Sequence, residues 1–199
     1  MFSNDPGMRF WLLFFLFTSP LLAQTSDYAT LLQRAKQSDP TLNFEALRRA
    51  YANLPGYNGY VVPKSAPMIK AANEEDWDLA KKEAKSLLEQ NYLDLYAHQI
   101  LLMVAEQNKD SAAAAHHEYM LDGLMTAICG GRDGKSEKSA WPILSVREQY
   151  QVCQLLGWRV KGRGLVHGEG GPYDVTTVVT QDGDERTVYF DVSGFFGKL

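Results

Sequence analysis

Histidine and cysteine are both scarce in this chain, with four and two copies respectively. No Cys-x-x-C pair occurs, which excludes a dithiol redox motif. No two histidines stand four apart and no His-Glu-x-x-His is present, so the usual helical spacing for metal ligands is missing. A Gly-x-Ser-x-Gly turn is also lacking, and with it the nucleophile elbow of many hydrolases. The net charge is -4 with no Lys/Arg run, so nucleic acid is not an expected partner. Blocks of like-charged acids are absent as well. Beyond the first two dozen residues, no stretch is apolar enough to span a membrane.

What is present is an ordinary globular balance, 45% hydrophobic and 22% charged over 199 residues, enough for one well-buried core. At the N-terminus Arg9 precedes an apolar run over 10–17, Pro20 breaks it, and Ala23 offers a small residue at a cut. This pattern is that of a cleavable secretory signal over 1–23. The remainder, 24–199, is expected to be a single α+β domain, mainly helical over 24–156 and a β-meander over 157–199. Export leads to the periplasm or the exterior. There Cys129 and Cys153 are candidates for a disulfide worth roughly 3 kcal/mol. The alternative is two small buried hydrophobes.

Apolar spacing gives helices over 28–37 (capped by Asp27), 42–54, from Asp76 or Glu75 to 91, 93–107, 112–129 (capped by Asp110 or Ser111) and 145–156. In the last of these Val146, Tyr150, Cys153 and Leu156 share one side. Residues 55–67 hold three prolines, two glycines and two tyrosines and read as an ordered loop. The helix pair from Ala97 to Leu121 resembles a tetratricopeptide unit, with Ala97, Leu101, Ala105, Ala114 and Leu121 near its small and apolar positions. One unit amounts to a packing style, not a repeat array. After Gly157 the period changes to two. Strands are expected over 158–167, 173–180 and 186–192, the last two joined by a hairpin at Asp182-Gly183. The product is a three-stranded antiparallel meander whose Val188, Phe190 and Val192 face the helical layer.

Four groups of residues are candidates for chemistry. The stretch Gly130-Gly131-Arg132-Asp133-Gly134-Lys135-Ser136 looks like a phosphate loop, but Cys129 stands where that motif needs glycine, and a helix, not a strand, precedes it. Two readings are left: a helix end with Gly130 left-handed, or an anion nest beside Lys135. His98 and His117 lie on consecutive antiparallel helices, either as an interface pair or as a catalytic or metal-binding one. His116 points about 100° away from His117, which disfavours a shared ion. Asp174 and Asp191 sit in strands, where Asp is unusual. Tyr57, Tyr60, Trp141 and Trp158 either line a sugar or peptide groove or belong to core and rim.

An ordered set of pieces runs through the chain: Asp94-x-x-Ala97-His98, His117, Gly123-Leu124-Met125, Gly131 to Ser136, Ala140-Trp141-Pro142-Ile143, Glu148-x-Tyr150, Tyr173-Asp174-Val175 and Tyr189-Phe190-Asp191-Val192. The set resembles the exported bacterial family termed domain of unknown function 4919. Arg132 departs from the Ser-Gly-Asp-Gly type of loop usual there. The resemblance implies an envelope location and carries no catalytic residue with it. The expectation is therefore a non-enzymatic exported binding or accessory protein of the cell envelope. It would need no cofactor and would have another envelope protein or a peptide as partner. Its contact surface is expected where His98, His117, Asp133, Gly134 and Lys135 meet Tyr173 and Asp174. The rival is a hydrolase or transferase that uses His98 or His117 with Asp174. The third reading is a purely structural domain.

Overall fold

The computed structural model describes residues 20–197. The apolar run of the expected secretory signal, 10–17, lies outside the described residues. The elements run α1 (Pro20–Lys36), α2 (Phe44–Ala52), α3 (Ala66–Asn73), α4 (Trp77–Gln90), α5 (Leu95–Gln107), α6 (Ser111–Cys129), a 3-10 turn (Glu137–Ser139), β1 (Trp141–Pro142), α7 (Val146–Leu155), β2 (Arg159–Gly168), β3 (Gly171–Val179) and β4 (Glu185–Asp191). The chain is α+β.

Short polar side chains start most of the helices. Asn43, Asp76, Asp94, Asp110 and Ser145 each accept a hydrogen bond from the backbone N–H three residues on, which satisfies one of the free donors of the first turn. Asp76 and Asp110 are caps the spacing anticipates, with Glu75 and Ser111 as their alternatives. Asp27 is not a cap, because α1 is already under way at Pro20. Helix α3 corrects the reading of 55–67 as a loop followed by unassigned chain. Pro67 stands in its first turn, where the missing N–H costs nothing. Three non-glycine residues, Ser38, Glu75 and Lys109, take positive φ just beyond α1, α3 and α5 and turn the chain back on itself.

The sheet corrects the expected three-stranded meander. Its order is β1-β4-β3-β2, with β2, β3 and β4 antiparallel and β1 added parallel to β4. Trp141 lies opposite Phe190, and Pro142 opposite Asp191. Two residues are too few to show an alternation, and Pro142 suits an edge because it has no N–H to donate. Val188, Phe190 and Val192 are buried under the helices as their spacing predicts. The main core joins them to Leu47 of α2, Met120 and Leu124 of α6, and Val152 of α7. A second cluster lies among α3, α4 and α5, around Met68, Ala84 and Leu101.

Helix α7 departs from its expected face. Tyr150 is exposed, while Glu148, Gln149 and Gln151 are buried with Val152 and Cys153. This helix is wedged between the sheet on one side and α2 and α5 on the other, so its polar positions are enclosed too. That enclosure creates the candidate site.

Candidate functional site

The residues singled out in the sequence separate into three places. His98 and His117 do meet. His98 Nε2 lies 2.8 Å from the Tyr92 carbonyl, and His98 Nδ1 lies 3.0 Å from His117 Nδ1. A carbonyl can only accept, so His98 carries its proton on Nε2, and His117 donates across the pair. His116 completes the cluster, 2.9 Å from the Tyr92 hydroxyl and 2.8 Å from Ser38 Oγ. His98 is 0% exposed. Burial pushes its pKa down to about 3 and that of His117 to about 4, with neighbouring histidines adding to each shift. The cluster is a neutral clasp between α5, α6 and the α1–α2 turn.

The glycine loop lies at the other end of α6. Cys129 lies twelve positions beyond His117 on α6, about 18 Å along the axis. Gly130 closes the helix but is not left-handed; Gly131 takes the positive φ of 72° instead. The anion-nest reading gains no support, because four of the loop's amides are already taken and no two successive ones are left over. Arg132 N–H donates to Cys129, Gly134 to Ser139, Lys135 to the Asp133 carboxylate and Ser136 to Ser139 Oγ. Its carbonyls then fasten it to the sheet: Tyr189 N–H donates to Gly134 at 2.7 Å and the Trp141 indole to Arg132 at 3.0 Å. Gly134 has φ 67°, and a side chain there would come within 3.0 Å of Val188 and 3.1 Å of Trp141. Lys135 points out, beside an exposed Asp133. The loop is a latch for the β1–β4 corner.

Tyr173 and Asp174 form the third place. Asp174 pairs with Arg163 at 3.0 Å across β2–β3 and accepts from Thr176; no histidine joins it. The cross-strand partner that an Asp in a strand calls for is therefore Arg163. Tyr57 and Tyr60 pack against Tyr51 and Phe195, and Trp141 stacks on Trp158, so these aromatics pack into core and rim, with Tyr57 also facing a cleft. Cys129 and Cys153 are free thiols, not a disulfide. Cys153 belongs to the main core and Cys129 packs against it, and burial pushes each pKa up to about 12.

The site that enclosure of α7 creates was not anticipated from the sequence. A cleft of about 320 Å³ opens between the 54–63 segment, the α4–α5 turn and the start of α7. Tyr51, Tyr57, Asn58, Asn91 and Arg147 line it, with Glu148 and Gln151 as the buried part of the lining. Two buried ion pairs support it. Arg48 donates to Glu148 at 2.8 Å and to the Pro142 carbonyl at 2.9 Å. Arg147 donates to Asp94 at 2.8 Å and to Ser65 at 2.7 Å, and Gln151 donates to Asp94 at 3.0 Å. Asp94 thus caps α5 and holds α7 at once. Asp94 and Glu148 appear in the sequence only as marks of a resemblance. Arg48, Arg147 and Gln151 show in it as ordinary polar positions on helix faces, and Tyr51 as one of the apolar-spaced residues of 42–54. The available signal was the i, i+3 spacing of Glu148 and Gln151, and of Arg48 and Tyr51, which puts each pair on one face.

Among the described residues, no group of three or more His, Cys, Asp or Glu is placed to hold a metal ion, and no helix is long and apolar enough to cross a membrane. Comparison with known proteins matches residues 22–198 to a family model, the domain of unknown function (DUF4919). The chain belongs to that family. Neither curated proteins nor solved structures give a match.

Proposed function

We propose that the protein is a non-enzymatic binding or accessory protein, exported to the bacterial cell envelope by its N-terminal signal, and that it takes its ligand in the cleft beside α7. The observation that carries this reading is the pair of buried ion pairs, Arg48–Glu148 and Arg147–Asp94, supporting an open cavity. Removing charges from water costs several kcal/mol per ion, and an apolar replacement is often as stable. Charged groups kept at an open cleft supply the few polar anchors that a binding site uses. The helical hairpins α4–α5 and α5–α6 supply a rigid scaffold in the manner of a tetratricopeptide pair. A hydrolase built on His98 or His117 with Asp174 gains no support, because the histidines and Asp174 have separate partners.

Thermal melting of the exported protein against soluble envelope components tests the reading. A true ligand raises Tm in proportion to its saturation. Gln90→Trp, on the exposed edge of the cleft, abolishes that rise while leaving the unliganded Tm in place. A Tm rise untouched by Gln90→Trp, or turnover of any component, overturns the proposal. Recovery of the protein from the cytoplasm, with residues 1–23 still attached, overturns its export.

A further inference from the structure

We infer that the cleft's ligand is a neutral, polyhydroxylated molecule, a saccharide of one or two units; this rests on the cleft being the binding site. The charges supporting the cleft cancel, with Arg48 and Arg147 set against Glu148 and Asp94. A charged ligand would give up its hydration and meet no net opposite charge. Three of the five Arg147 N–H donors are also taken: Nε and Nη2 on Asp94, Nη1 on Ser65. Its Nε/Nη2 fork is therefore occupied by Asp94, and a ligand carboxylate or phosphate would have to compete for it.

The remaining polar atoms are of both kinds. Glu148 Oε2 accepts from Arg48 and from the Leu144 N–H, while Oε1 has no partner among the described residues. Gln151 donates its amide nitrogen to Asp94, and its carbonyl oxygen has none among them. These two acceptors call for O–H or N–H groups on the ligand. Donors stand nearby. Asn58 and Asn91 each use the side-chain oxygen to accept a backbone N–H, from Tyr60 and Leu93, which leaves the NH₂ groups available. The Tyr51 hydroxyl likewise has no partner among the described residues. Its pKa is raised by burial and by Asp94 and Glu148, so it remains a donor.

A hydroxyl group both gives and takes a hydrogen bond, so a ring of hydroxyls matches interleaved donors and acceptors. An ammonium can only give and a carboxylate only take. Tyr51 and Tyr57 stand edge to face with ring centroids 5.3 Å apart, an apolar wall for the C–H face of a sugar ring. The volume of about 320 Å³ is at the small end of ligand clefts, roughly 300–1,000 Å³.

The test is titration calorimetry with ligand-observed NMR on the full exported chain. Four sets are compared: neutral mono- and disaccharides, alkyl diamines, dicarboxylates with inorganic phosphate, and neutral dipeptide amides. Saccharide binding is expected, and Tyr51→Phe, which keeps the ring, should weaken it about tenfold, the loss of one buried hydrogen bond. Gln151→Met serves as a second variant, with both checked by circular dichroism for native folding. If saccharides bind but neither variant weakens them, the assignment of these atoms is wrong. If only diamines, anions or dipeptide amides bind, with Tyr51→Phe weakening them, the cleft stands and the ligand class is overturned. If no set binds, both the class and the cleft reading fall.

Discussion

Asp94→Asn separates the charge of this residue from its shape. Asp94 Oδ1 accepts from the Ala97 N–H and from Gln151, each at 3.0 Å, and at 3.4 Å from Arg147 Nη2, whereas Oδ2 accepts from Arg147 Nε at 2.8 Å. An Asn with its oxygen in the Oδ1 position keeps the helix cap and the Gln151 bond. Its NH₂ then faces the Arg147 donor, and the guanidinium loses its counter-charge while its side chain is 9% exposed. Breaking a buried pair costs about 3–5 kcal/mol. Arg147 keeps Ser65 and reaches cleft water, which puts the expected loss near the bottom of that range, about 3 kcal/mol. For a domain of this size that lowers Tm by about 6–12 °C, at roughly 2–4 °C per kcal/mol. Asp94→Ala also removes the cap, adding about 1 kcal/mol. The deciding comparison is the cycle with Arg147→Met, read from guanidinium melts at pH 7.5. Each single variant leaves one buried polar partner orphaned; the double variant leaves no unpaired charge. The double variant should therefore cost at least about 1.5 kcal/mol less than the sum of the singles. Additive losses, or a loss under about 1 kcal/mol for Asp94→Asn, would refute the claim that this pair ties α7 to α5.

Three further outcomes are expected. Stability falls with acid: His98 titrates at about 3 in the fold against about 6.5 unfolded, so between those values the unfolded chain binds more protons. The contribution is whole above pH 6.5 and is lost progressively as pH drops toward 3, by about 2 kcal/mol at pH 5; a His98→Gln melt series as steep as the parent's over pH 5–7 would contradict this. In the glycine loop, Gly134→Ala should cost at least about 1 kcal/mol from its left-handed backbone and close neighbours, while Lys135→Ala, at a side chain 79% exposed, should stay within about 0.5 kcal/mol; the reverse order on thermal melting would restore a ligand role for the loop. Both thiols should resist a thiol-specific disulfide reagent at pH 8 in the native state and both react in denaturant, and fewer than two reacting in denaturant would mean that a bridge forms after all.

The sequence by itself determined what depends on near neighbours. The spacing of Ala80, Ala84, Leu87 and Leu88 builds a helix face, and Asp76 and Asp110 cap helices within their own first turns. The β-branched run before Asp182-Gly183 makes a hairpin, and the meeting of His98 with His117 follows from two helices joined by a tight turn. Where spacing misled, the partner lay far along the chain. The Gly131–Ser136 stretch looks like a ligand loop until Tyr189 and Trp141 are seen to hold it. The edge strand at Trp141–Pro142 exists only because Phe190 and Asp191 lie beside it. The tertiary structure alone decided the cleft. Arg48 reaches Glu148 across one hundred residues, and Arg147 reaches Asp94 across fifty-three. A charged side chain on a helix reads as solvated, because exposure is its cheapest state. Only packing α7 between the sheet, α2 and α5 removes the water and makes each of these charges need the other.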